Sequence, residues 1–494
     1  MKKSPVAALF ETDCYKVGHK LMEEPGTEFV YSNFTPRGSR IEGVSHVVVF
    51  GAQAYIQEHI VDAFEDFFAA DEDLVAKLYE DRLTSILGPN QVGSDHIRQL
   101  HRKGYLPLEF KALEEGTMLP MLVPMLTVEN TDPEFAWLTN YIETSLSRIW
   151  FSATNATKTV HMREAIEAWA EKTNGNKDFV DWQWHDFSSR GHHSAESGAI
   201  SAAAHLLSFT GTDSLNAFEW IDYFYPGDNG FVGGSVSASE HSIMMSRGKD
   251  HELETYEALL DTFPTGILSL VSDTWDLFSV VTNILPKLHD KIVAREGKLV
   301  IRPDSGIPED IIVGTNLVFG EGKTPEEKGL AELLWEEFGG TETDGFKHLA
   351  PIIGMIYGDS ISPERADRIF TGLANKGFSS DNIVFGAGSW FAIGNTTRDT
   401  FNFAIKATQV TVDGVRKDIK KDPVTAKGSK TSATGRLAVL KDDANEFYLV
   451  EQATVADEAA SELKTIWKDG VWVRRQSFAE IRETLKAERV RVFS

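Results

Sequence analysis

Cysteine is nearly missing from this chain: Cys14 is the only one among 494 residues. No internal disulfide framework can form, so the fold must rest on its buried core, and a reducing cytoplasm is the expected compartment. No activating base stands beside Cys14, which is expected to be a small buried side chain rather than a nucleophile. Long apolar runs are missing as well. The N-terminal apolar stretch from Val6 to Phe10 is broken by Glu11 and Asp13, so no signal-peptide core is expected, and no run approaches membrane-spanning length. Positive charge is in deficit, with 49 Lys and Arg against 74 Asp and Glu for a formal net charge of -25. Such a surface repels nucleic acid and anionic membrane, and any phosphorylated ligand must be held by locally clustered cations. Internal repeats and low-complexity tracts are not seen. What remains is an ordinary globular composition, 42% hydrophobic, long enough for two or three domains with separate cores.

The middle of the chain repeats one pattern, a short apolar run suited to a strand buried on both faces and then a polar or glycine-containing cluster. Gly266 to Val271 leads into Ser272-Asp273-Thr274, and Leu299 to Ile301 into Arg302-Pro303-Asp304-Ser305-Gly306. Ile352 to Tyr357 leads into Gly358-Asp359-Ser360, and Ile383 to Phe385 into Gly386-Ala387-Gly388-Ser389. Helices are expected between them, the best bounded running from Pro363 to Lys376 with Ser362 as N-cap and Gly377 as the stop. Strand, polar loop and helix in alternation predict an irregular parallel α/β barrel over residues 151–399, with reactive groups on the loops after the strands. After about Thr400 the pattern changes to alternating strands, with hairpin signals at Asp413-Gly414 and Asp469-Gly470 and a third turn from Asp442 to Asn445. Residues 1–150 mix strands such as Val47 to Phe50 with helices such as Ala52 to Phe68. They are expected to pack with residues 400–494 into a second mixed and antiparallel β-rich domain built from both chain ends. The charged, glycine-rich stretch from Gly320 to Lys347 is expected to be a peripheral helix flanked by loops.

Phosphate binding is the first chemistry these loops suggest. Gly358-Asp359-Ser360 and Gly386-Ala387-Gly388-Ser389 follow the last two barrel strands, where backbone N–H groups can point at an anion. Either loop alone reads equally well as a bare turn; together, one strand after Arg302, they favour phosphate. Asp273, Asp276, Asp304 and Asp359 also follow strands. Acids converging on one barrel mouth repel each other unless a metal or a polyhydroxyl ligand engages them, so a ribose or a magnesium-bound pyrophosphate suits them. Asp273 is expected instead to cap the helix after it. Histidines gather at His185, His192, His193, His205, His241 and His251, but without HExxH spacing or a cysteine partner they give no support to structural zinc. His192, His193 and His205 read as structural. His241 differs, following Glu240 in a run of small polar residues that builds a loop rather than a core.

Taken in order, the motifs of this chain resemble the nicotinamide phosphoribosyltransferase family, which has the type II phosphoribosyltransferase fold. The resemblance is carried by Thr12-Asp13-Cys14-Tyr15-Lys16-Val17, Thr127-Val128-Glu129-Asn130-Thr131-Asp132-Pro133, His185-Asp186-Phe187 with Arg190-Gly191, and Gly211-Thr212-Asp213. It continues through Glu240-His241-Ser242, Gly248-Lys249-Asp250-His251, Ile301 to Gly306, Gly358-Asp359 and Lys421-Asp422-Pro423-Val424. It implies transfer of the phosphoribosyl group of phosphoribosyl pyrophosphate to nicotinamide, giving nicotinamide mononucleotide and pyrophosphate in NAD salvage. It also implies a homodimer with active sites at the subunit interface, Mg2+, and ATP hydrolysis coupled through a phosphorylated histidine.

Residue by residue, the resemblance places the nicotinamide ring between Phe187 and Tyr15 of the partner subunit, with Asp213 on the carboxamide nitrogen. Arg190 and Arg302 match residues flanking the ring and the ribose phosphate, and Asp304, Gly358, Asp359 and Gly388 match the ribose and phosphate shell. Asp13, Ser235 and Ser272 complete the substrate contacts, while Arg37, Arg398, Lys406 and Lys421 match cations facing the pyrophosphate or ATP phosphates. His241 matches the phosphorylated histidine, with Glu240 and Asp276 to orient its ring and Asp304 beside them in the catalytic group. A carboxylate at Asp213 accepts from an amide NH2 but repels the second negative charge of nicotinate by a few kcal/mol. Ser389 departs from the family's glycine-like position, and Ser189 replaces an aromatic residue and widens the outer pocket. A nicotinate phosphoribosyltransferase on the same fold is the nearest rival, and Asp213 argues against it. A barrel aldolase or phosphosugar isomerase would need a catalytic lysine at a strand end, and the four strand-loop motifs offer none.

Overall fold

A computed structural model describes residues 4–358, 360–422 and 432–493. Asp359 and the Pro423-Val424 end of the last motif lie outside these residues. The chain divides into two compact units, Met1–Thr157 with Ile221–Gly230 and Asn395–Ser494, and Lys158–Trp220 with Phe231–Gly394.

The second unit is built on a six-stranded sheet, parallel throughout, in the order Trp184–Asp186, Ile383–Ala387, Ile353–Tyr357, Glu296–Arg302, Thr265–Val271 and Ser237–Ala238. Each of the four apolar runs named above is one of its strands. Leu268, Leu270, Leu299, Ile301, Ile353, Ile383 and Phe385 are all buried in one core on one face of the sheet, while the alternate residues Ile267, Lys298, Val300 and Val384 line a cavity. Parallel bridges Asp186↔Thr212 and Gly211↔Gly234 continue the pairing beyond one edge. Gly234 lies three residues before Ser237 at the other edge, so the sheet curls into a half-barrel. The helix Pro363–Asn375 starts where Ser362 Oγ accepts from Arg365 N at 3.2 Å and stops before Gly377, whose φ of 76° only glycine adopts easily.

The stretch from Gly320 to Lys347 differs from its expected peripheral helix with loops. Its helix, Pro325–Phe338, turns Leu330, Ala331 and Leu334 into the core, and a hairpin of Gly340–Thr343 with Phe346–Leu349 follows. One charge of this helix, Glu332, is neutralised inside the core. Lys376 Nζ lies 2.8 Å from Glu332 Oε2, with both side chains fully buried, and also donates to Lys328 O at 2.7 Å.

The first unit carries a seven-stranded antiparallel sheet in the order Val415–Asp418, Ala404–Val412, Thr27–Thr35, Leu126–Asn130, Leu108–Ala112, Lys464–Lys468 and Val471–Trp472. Asp413-Gly414 and Asp469-Gly470 turn its two tightest hairpins, with positive φ at both residues of each pair. Asp442 to Asn445 joins the separate pair Leu437–Lys441 and Phe447–Glu451. The excursion Ile221–Gly230 belongs to this unit through polar anchors: Tyr225 donates its hydroxyl to buried Glu115 at 2.8 Å, and Gln53 donates to Phe224 O at 2.7 Å. Cys14 corrects an expectation. It opens the 3-10 helix Cys14–Leu21 and is exposed, because this short helix turns Lys16 and Val17 inward instead. Among the described residues no helix is long and apolar enough to cross a membrane.

Candidate active site

The loops after the parallel strands bring most of the expected residues of the second unit together. The strand Trp184–Asp186 delivers Phe187, whose N–H donates to Ala387 O at 3.0 Å. Buried Asp186 fixes the turn, accepting from Ser188 Oγ at 2.6 Å, Thr212 Oγ1 at 2.8 Å and Ser214 Oγ at 2.5 Å. Burial works to raise its carboxyl, but His205 and these hydroxyls outweigh that and leave it below the ordinary aspartate value. Asp213 is locked alongside by its N–H to Asp186 O at 3.0 Å.

The Asp213 carboxylate accepts from Ser235 Oγ and lies 3.2 Å from His185 Nε2. Burial raises it, yet hydrogen bonds from His185 and Ser235 and the charge of Arg302 prevail, so it titrates below the ordinary range and is ionised at neutral pH. The His185 ring in turn sits 4.6 Å from that of Phe187, and the Arg302 guanidinium stands 4.8 Å from the Phe187 centroid. Arg302 Nε is buried with no hydrogen-bond partner among the described residues. One aromatic face, one ionised acceptor and one donor with unused capacity therefore meet, which suits a flat ring bearing an amide. A cavity of about 920 Å3 opens beside His185 and Ser235 and is also lined by Ile267, Lys298 and Asp381. Arg190 is exposed on the turn Ser189–Gly191.

The acidic side of the site departs from expectation in three places. Asp273 does not cap a helix; its Oδ2 accepts from Asp304 N at 2.8 Å and Ser305 Oγ at 2.5 Å, tying two strand loops together. Capping falls to Asp276, which accepts from Ser279 N at 3.0 Å. Among the described residues neither Asp276 nor Glu240, whose carboxylate takes the Ser242 hydroxyl, is hydrogen-bonded to the His241 ring. Thr274 Oγ1 holds His241 Nδ1 at 3.1 Å, while Nε2 lies 3.9 Å from Asp304 Oδ2. Ser272 is fully buried, accepting from Tyr256 OH at 2.8 Å and donating to Leu270 O at 2.8 Å.

Both glycine loops approach closely. A Cβ on Gly358 would come 2.6 Å from Asp304 Oδ1 and 3.0 Å from Arg302 Nε, and one on Gly386 would come 2.8 Å from Phe187 Cδ2 and 3.0 Å from Gly358 Cα. Gly388 faces open space. His185, Thr274 and the tie through Asp273 were not singled out as site residues by the sequence. Only their place at strand ends marks them, since each acts across about 30 residues of chain.

In the first unit Arg37, Arg398, Lys406 and Lys421 act on one another electrostatically. Burial, then repulsion from the other three, outweighs Glu143 and lowers Lys406; burial and Arg398 lower Arg37. Cations held this close call for an anion. Tyr15 is 65% exposed, its ring 5.4 Å from that of His19, and Asp13 Oδ2 accepts from Thr144 Oγ1 at 2.8 Å.

Similarity to known proteins agrees with this geometry. The model of the nicotinate phosphoribosyltransferase (NAPRTase) family matches residues 182–470. A protein of Acinetobacter baylyi named nicotinamide phosphoribosyltransferase is 43% identical over 488 residues, covering 96% of this chain and 96% of that protein. One of Xanthomonas campestris with the same name is 30% identical over 491 residues, covering 98% of each. Among solved structures, nicotinate-nucleotide pyrophosphorylase from Pyrococcus furiosus superposes with a TM-score of 0.60 at 14% identity, covering 100% of this chain and 98% of that one. Human nicotinic acid phosphoribosyltransferase gives 0.57 at 14% identity, covering 97% and 93%.

Proposed function

The chain belongs to the nicotinate phosphoribosyltransferase family, and from that premise we propose that it joins nicotinamide to phosphoribosyl pyrophosphate, releasing nicotinamide mononucleotide and pyrophosphate in NAD salvage. The observation that carries the choice of the amide is Asp213, ionised and set beside Phe187 and Arg302. The carboxylate accepts from the amide NH2, Arg302 donates to the amide oxygen, and Phe187 supports the ring face. The ring nitrogen then attacks the anomeric carbon as pyrophosphate leaves, through a transition state of oxocarbenium character. No protein nucleophile is needed; the side chains align the reactants and balance the charge of the leaving group.

Mg2+ fits the residues at hand. Asp273 Oδ1 is buried without a hydrogen-bond partner among the described residues, and Asp304, bonded through its N–H to the other oxygen, carries a second carboxylate. Oxygen donors of this kind suit the ion, which when bound neutralises the departing pyrophosphate. For ATP coupling, Thr274 Oγ1 holds His241 Nδ1 at 3.1 Å, and in the tautomer with the proton on Nδ1 the free Nε2 accepts a phosphoryl group from ATP, with ADP leaving. In a cytoplasmic homodimer, exposed Tyr15 closes over the ring of the partner's site, and the four cations of the first unit face its phosphates. A half-barrel completed as an irregular parallel barrel, with a β-rich second domain from both chain ends, is the architecture this reading uses.

Purified protein supplied with phosphoribosyl pyrophosphate and magnesium should release pyrophosphate far faster with nicotinamide than with nicotinate. The reverse preference would overturn the assignment.

A further inference from the structure

A cavity of about 520 Å3 lies in the second unit between the loops after Ile353–Tyr357 and Ile383–Ala387, lined by Ser360, Ser362, Arg365, Arg368, Gly388 and Ser389. It begins two residues beyond the touching pair Gly358 and Gly386. Two extended residues reach about 7 Å, comparable with a ribose measured from its anomeric carbon to its 5-phosphate. Gly388 leaves open space there, as a phosphate approached by backbone requires.

The two arginines share one carboxylate. Arg368 donates to Glu309 Oε1 from Nε at 2.9 Å and approaches it with Nη2 at 2.7 Å, whereas Arg365 Nε stands 3.4 Å from the same oxygen. Glu364 also attracts Arg368, so Arg368 is held by two carboxylates, and spare hydrogen-bonding capacity remains on one guanidinium. Arg365 is the better placed to use it. It rises from the first turn of the helix Pro363–Asn375, its side chain is 28% exposed against 58% for Arg368, and Nη1 donates to Ser360 O at 3.0 Å. That contact holds Ser360, whose φ of 57° is left-handed. Nη2 has no hydrogen-bond partner among the described residues.

We propose that Arg365 binds the 5-phosphate of phosphoribosyl pyrophosphate and of the nucleotide product in this cavity, with Arg368 held back by Glu309. A planar guanidinium matches phosphate oxygens with two parallel bonds, a geometry that lysine lacks. The proposal rests on the phosphoribosyl-transfer reading and adds to it the residue that recognises the phosphate.

Calorimetric titration of wild type, Arg365→Gln and Arg365→Lys with nicotinamide mononucleotide, nicotinamide riboside and ribose 5-phosphate tests it. Arg365→Gln should bind the mononucleotide and ribose 5-phosphate about tenfold to a hundredfold more weakly, with the riboside within about twofold of wild type. Arg365→Lys should recover part of the loss, and retained riboside binding shows that the site is folded. Equal weakening of all three ligands, or none for the two phosphates, would overturn the proposal. A failure of the functional reading looks different: wild type would then bind neither pyridine ligand, while the ribose 5-phosphate titrations still decide the role of Arg365.

Discussion

Replacing Asp213 by Asn keeps the outline of the side chain and removes its charge, which isolates the feature that separates an amide from an acid. Two unit charges about 4 Å apart at an effective dielectric of about 20 repel by about 4 kcal/mol. The Asp213 side chain is 42% exposed, so solvent and salt reduce the penalty on nicotinate to about 1–2 kcal/mol. Loss of the charge-assisted bond costs nicotinamide about 1.5 kcal/mol more. Together these lower the ratio of kcat/KM for nicotinamide over nicotinate by about a hundredfold in Asp213→Asn. Initial rates of pyrophosphate release, measured with each pyridine below its KM and phosphoribosyl pyrophosphate saturating, give the ratio directly. A ratio that moves less than about threefold would refute the reasoning. The carboxyl titrates below the ordinary 3.8, so it stays charged on mild acidification, and wild-type selectivity should hold from about pH 8 down to about pH 5.

His241→Ala should leave slow synthesis intact but abolish its stimulation by ATP, read as product formed with and without the nucleotide. Lys376→Met strands the buried Glu332 carboxylate and should cost about 3–5 kcal/mol in denaturant unfolding, much of it recovered on adding Glu332→Leu. Gly386→Ala pushes a Cβ against Phe187 and the backbone of Gly358; we expect about 1–3 kcal/mol of destabilisation together with weaker nicotinamide binding. Burial, with help from Lys20, lowers His96 from the ordinary 6.5 to about 4, so the unfolded chain binds its proton first as the pH falls. Stability should therefore drop by up to about 3 kcal/mol between about pH 6.5 and 4, and His96→Phe should flatten that slope in pH-dependent thermal melts.

What could be read from the sequence follows the range of the forces involved. Strands such as Thr265–Val271 and turns such as Asp413-Gly414 announce themselves because burial pattern and backbone preference are local. The hairpin after Phe338 is hidden because its strands, Gly340–Thr343 and Phe346–Leu349, are polar and partly exposed. Partners of the site side chains are harder still. Thr274 takes the place expected for Glu240 and Asp276 beside His241, a choice set by how two strand loops meet, to which neighbouring residues contribute no signal. Likewise Asp273 looks like a cap until Asp304 and Ser305, about 30 residues on, are seen to donate to it.

The strand Thr27–Thr35 has one neighbour made soon after it, Leu126–Asn130, and one made near the end of the message, Ala404–Val412. Asn33 meets Lys406 only after 373 further residues, roughly twenty seconds to a minute or more of synthesis. Throughout that interval the nascent chain offers a bare row of amides and carbonyls, the template on which chains aggregate. Ribosome stalling or truncation before Ala404 should thus leave a product that chaperones must shield.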